Sequence, residues 1–191
     1  MLTVDARAQV KKYLDIDAAV TTFDSDIDTF VLTGVKRLYP LAQREVEVQT
    51  ATLTNNNYNR ATVNLSTLTT PLVGVRAVEV GSSTSLGMGE PVDYSVHANT
   101  LKLLDVPSYA NTAFIEGLAR FTLTDLYPEI ELAVIYFATS EFFKFLIGNK
   151  RKYNVYMQNG RAAVENMQDM VDYFEGLANQ HLADRVTLYG A

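Results

Sequence analysis

The 191-residue sequence predicts an α+β protein: a small bundle of about four helices interrupted by an antiparallel β-rich insertion. Three observations predict it. Apolar residues recur at helical spacing through residues 27–38, and residues 130–147 are apolar on nearly every side of a helix. Between these stretches the period changes to two, with Val46, Val48 and Thr50 alternating with Glu45, Glu47 and Gln49. Residues 44–124 also hold only 12 of the 38 charged residues but 12 threonines, a mix that suits a pleated, half-buried surface. Residues 1–43 and 125–183 then read as one discontinuous helical domain, 44–124 as the insertion and 184–191 as a C-terminal tail.

The elements follow in order. The first helix starts at Thr3 as N-cap and ends before Asp17, with Ala8, Val10, Tyr13 and Leu14 on a narrow apolar face. A second helix has Asp24 or Ser25 as N-cap and Asp26 and Asp28 in its first turn, where the helix dipole favours acids. Its stripe is Ile27, Phe30, Val31, Val35 and Leu38, and Pro40 stops it. Asn55-Asn56-Asn57 is a turn signal that returns the chain into a strand from Arg60 to Leu65. Further strands are expected at 73–80, 92–96, 100–104 and 113–121, with His97-Ala98-Asn99 as a short hairpin connection and residues 81–89 as a loop. Pro128 opens a third helix, apolar almost all round, which Gly148 ends. A fourth helix is expected over 161–182, with Val164, Met167, Val171, Phe174, Ala178 and His181 on one stripe.

Composition excludes several kinds of chemistry. No cysteine is present, which removes disulfides, thiolate metal sites and cysteine nucleophiles. Two histidines 84 residues apart, His97 and His181, make a histidine-rich metal site or relay an unpromising expectation. A net charge of −6 is a poor basis for gripping nucleic acid over the whole surface. No signal peptide is expected in Met1–Leu14. The apolar segment Ile130–Ile147 carries Glu131, Glu141 and Lys144, so it reads as a buried helix rather than a membrane span.

No catalytic, metal or cofactor set emerges, and the chain is expected to be neither an enzyme nor a cofactor carrier. Glu129 and Glu131 lie two residues apart and point to different sides of their helix, where the dipole explains them better than acid–base work does. Glycine-rich phosphate loops and the HExxH, GxSxG and calcium-loop patterns are missing. Lys150, Arg151 and Lys152 form the one dense basic cluster, beside Tyr153 and Tyr156. Its expected role is to complement the C-terminal dipole of the third helix and to make an intersubunit contact, with a DNA backbone contact as the alternative.

Three segments carry a resemblance: VKKYLDID at Val10–Asp17, YPEIELAVIYFATSEFF at Tyr127–Phe143, and GNKRKYNVY at Gly148–Tyr156. With the acid-capped second helix and a last amphipathic helix, this layout resembles the head–tail connector (adaptor, or head-completion) proteins of tailed bacteriophages. The resemblance implies a structural virion protein in the neck, made in the host bacterial cytoplasm. It also implies a homo-oligomeric ring, typically dodecameric, that docks on the portal protein, meets a downstream tail or neck protein and lets genomic DNA pass, with no membrane involved. Family members dock on the portal through a C-terminal segment, which here places Arg185, Val186, Leu188 and Tyr189 in that role. The rival readings are a β-rich recognition or attachment module on a helical stalk and, more distantly, a small carboxylate hydrolase.

Overall fold

The computed structural model describes residues 3–57, 60–82, 89–159 and 166–189. The fold is α+β, in two compact units. One unit joins Met1–Ala42 to Phe121–Ala191, and the other is Gln43–Arg120.

The first unit contains five helices among the described residues: α1 (Thr3–Tyr13), α2 (Asp24–Arg37), α3 (Pro128–Gly148), α4 (Lys150–Asn159) and α5 (Met167–Tyr189). The sequence expectation of about four helices missed α4, whose residues were read only as a basic run. The expected fourth helix corresponds to α5, which begins at Met167; residues 161–165 lie outside those described. α3 is the axis of the unit. It packs mainly against α2 and α5 and also meets α1 and α4. Ala133, Val134, Ile135, Phe137, Ala138, Phe142 and Phe143 are all at most 1% exposed, so this chain's own helices cover most of the apolar circumference of α3, with Ile147 near its end left exposed. At Gly34 of α2 a Cβ would stand 2.7 Å from the Val134 carbonyl oxygen, so the missing side chain is what lets α2 approach the backbone of α3.

The acids of α2 act differently from the sequence expectation. Phe23 occupies the N-cap position, and no side chain caps the helix. Asp24, Asp26 and Asp28 instead accept ion pairs from α1 and α4.

Among the described residues the second unit has eight strands in two four-stranded antiparallel sheets, more than the six expected. β1 (Arg44–Thr52), β4 (Leu72–Gly81), β5 (Glu90–Pro91) and β8 (Thr112–Ala119) form the first sheet, in the order β1-β8-β4-β5. β2 (Thr54–Asn57), β3 (Arg60–Asn64), β6 (Tyr94–His97) and β7 (Thr100–Leu103) form the second, in the order β2-β3-β7-β6. Inner residues of both sheets share one core that includes Val63, Val78, Val80, Leu101, Leu103 and Ile115. The Tyr94 hydroxyl donates to the Val75 and Arg76 carbonyls at 3.3 and 3.1 Å and so bridges the sheets.

Two local readings change. Asn55–Asn57 belongs to strand β2 instead of forming the turn, and Asn57 pairs with Arg60. β1 does not return into β3; its partner is β8, sixty or more residues further on. The His97–Thr100 hairpin does form, with Ala98 at φ 52°.

Candidate functional site

The three segments behind the family resemblance come together in the helical unit. α1 and the turn after it bring Val10, Lys11 and Leu14, all buried, into the helical unit, with Lys11 against the acidic start of α2. Lys11 is an unusual core residue. Its ammonium pairs with Asp24 at 2.6 Å and donates to the Val20 and Ala18 carbonyls at 2.7 and 3.3 Å. Those three acceptors offset much of the cost of burying the charge. Arg7, one turn earlier, holds Asp28 at 2.8 Å and Asp24 at 3.1 Å.

α4 closes the same region from the other side. The Tyr156 hydroxyl donates to the Leu14 carbonyl at 3.0 Å from a fully buried position. Burial, with the nearby charge of Asp15 adding to it, pushes the phenol up to about 12, so it remains a donor at neutral pH. Lys152 of the basic cluster pairs with Asp26 at 2.7 Å, and its ammonium lies 5.5 Å from the Phe23 ring centroid. Lys150 and Arg151 are exposed. The triplet follows α3, as expected, but it also forms the first turn of α4, a helix the sequence reading lacked, and there the dipole disfavours cations. The Asn149 side chain accepts from the Lys152 N–H at 3.1 Å and caps that turn.

A second charged seam joins α2, α3 and α5. Arg37 pairs with Glu141 and Glu175, each at 2.8 Å, and Lys144 pairs with them at 3.0 and 2.6 Å. The Arg37 guanidinium also lies 4.3 Å from the Phe137 ring centroid. Sequence reading weighed Glu141 only as an acid on its own helix, because Arg37, which ties it to α2, lies 104 residues away. Partial burial by itself would push the Glu175 carboxyl up. The hydrogen bonds and charges of Lys144 and Arg37 outweigh it and hold the group below its ordinary value of 4.5. A depressed carboxyl contributes stability that is complete above the unfolded value and is lost as pH falls through the folded one. The melting temperature of Glu175→Gln should therefore lie below wild type at neutral pH, with the gap closing under acid below about pH 4. A pH-independent gap would show that the ionised carboxylate contributes nothing.

The other candidates are placed as follows. His97 is exposed at the end of β6, and His181 is half-buried on α5. Glu131 is half-buried on α3, and the side chain of Glu129 lies outside those described. The backbone of residues 184–189 continues α5 rather than forming a separate tail, and Leu182 just before it is 3% exposed. The side chains of Arg185, Val186, Leu188 and Tyr189 lie outside those described, as do residues 83–88 of the glycine-rich loop. Among the described residues no three His, Cys, Asp or Glu are grouped to hold a metal ion, and no helix is long and apolar enough to cross a membrane.

No family model and no curated protein matches the chain. Among solved structures, a chain described as "Virion of native gene transfer agent (GTA) particle" is similar over 91% of this chain and 88% of that one, at 13% identity and a TM-score of 0.28.

Proposed function

We propose that this chain is a non-enzymatic virion structural protein, a head-to-tail adaptor that forms a ring beneath the portal and joins capsid to tail around a DNA channel. The observation that carries the reading is the meeting of Val10–Asp17, Tyr127–Phe143 and Gly148–Tyr156 in one packed unit, linked by Tyr156 to Leu14. Segments that resemble adaptors in sequence are thus also one physical object. Its polar residues serve as interhelical ties: Lys11, Arg7 and Lys152 are all spent on α2. An acidic chain suits a channel through which DNA must slide without being held.

The test is to locate the chain in particles that contain it, by antibody labelling and particle imaging. Label at the neck supports the adaptor reading. Label at the distal tail would speak for the β-rich recognition module, and absence from particles would end both. The portal is the proposed partner of the C-terminal segment. Removal of residues 184–191 begins after the buried Leu182, so α5 is shortened but the packed helices should remain folded while portal co-sedimentation falls at least tenfold, a loss on the scale of one or two interface anchors. Undiminished binding would place the docking surface elsewhere.

A further inference from the structure

The two outward faces of the β unit carry opposite charge. In β7, Leu101 and Leu103 are buried, so Lys102 between them points outward. Thr62 and Ser95 flank it in register on β3 and β6, and Arg60 and His97 extend the face along the same two strands. Lys102 and these four residues are all exposed. Asp93, just before β6, is the acid that follows the same alternation.

The other sheet presents the reverse. Ile115 of β8 is in the core, so the adjacent Glu116 faces outward. A register shift in β1 sets both Glu47 and Val48 opposite Glu116, and Glu45 stands opposite Leu118 on the same face. Arg76 pairs with Glu45, leaving three carboxylates against one guanidinium. Like charges on neighbouring strands destabilise a sheet, so Glu47 beside Glu116 is a cost that an outside cation would relieve. Because the sheets share a core through their inner sides, these faces lie on opposite sides of the unit.

We infer that the Arg60/Lys102 face of one copy docks on the Glu45/Glu47/Glu116 face of the next, so that the β units associate head to tail. The occupant of each face is a second copy of this chain, identified by charge complementarity. Two different patches on opposite sides make a heterologous contact, which propagates into a ring or a filament instead of stopping at a dimer. The inference rests on the assembling reading above and specifies where neighbours touch.

Charge reversal on the full-length chain tests it. Lys102→Glu makes both faces acidic, and Glu116→Lys cancels the acidic excess of its face, leaving two carboxylates against two cations; both positions are exposed, so the fold should be retained, as circular dichroism would verify. In sedimentation at low ionic strength, wild type should associate and each variant alone should associate roughly tenfold more weakly. An equimolar mixture of the two variants should recover association, because every contact is again between opposite charges, and high salt should weaken wild type and mixture alike. A wild type that stays monomeric, single variants that associate as it does, or a mixture without recovery each overturn the inference. Association with charge rescue in a chain absent from virion necks would leave this contact standing and remove the adaptor reading. A monomer found in the neck would do the opposite.

Discussion

Replacing Phe142 with alanine is expected to cost about 3–5 kcal/mol of stability, the range for deleting a buried aromatic ring. Phe142 is 0% exposed and meets five other rings, with centroid distances from 5.3 Å to Phe23 to 6.5 Å to Phe145. Its neighbours come from α2, α3 and α4 and from the segment before α2, so no single side chain can move in to fill the space. Edge-to-face geometry adds to the loss, since Phe23 and Tyr156 lie at 78° and 65° to the ring. Urea unfolding followed through the helical signal measures it: the midpoint should fall with little change in slope. A loss below about 1 kcal/mol would mean that the cluster repacks and that α3 is not the rigid axis described above.

Lys11→Met is the second large effect expected. Methionine matches much of the apolar stem of lysine, so packing is roughly conserved and the charge is removed. The Val20 and Ala18 carbonyls lose a donor and Asp24 loses its closest cation, which together should cost about 3 kcal/mol. Arg7 still reaches Asp24 and limits the damage. The control is Lys12→Met, at the adjacent exposed position, which should stay within about 0.5 kcal/mol of wild type. If the two variants are equally stable, the buried ion pair is dispensable and α1 is held by apolar contacts alone.

Much of this organisation is legible in the sequence. Where one periodicity persists over several turns, each residue votes for the same face, and α2 and α3 fall where the spacing of Ile27, Val31, Val35 and then Ile130, Val134, Phe137 places them. Short polar segments have no such redundancy. α4 buries a single residue, Tyr156, so its pattern was hidden under a conspicuous basic run. The asparagine run predicts a turn from local propensity, yet pairing with β3 draws Asn57 into a strand. The candidate site was legible only as separate motifs.

What the amino-acid order determined by itself is the α+β class, the positions of the longer helices and the absence of thiol chemistry, because each depends on composition or on neighbours within a few turns. Tertiary structure alone decided which strands pair, which acids meet which bases, and that α3 is enclosed by its own chain. Those outcomes join residues as far apart as Leu14 and Tyr156 or Asp26 and Lys152. Their free energy comes from desolvation and hydrogen-bond geometry in the packed state, which has no counterpart in local periodicity.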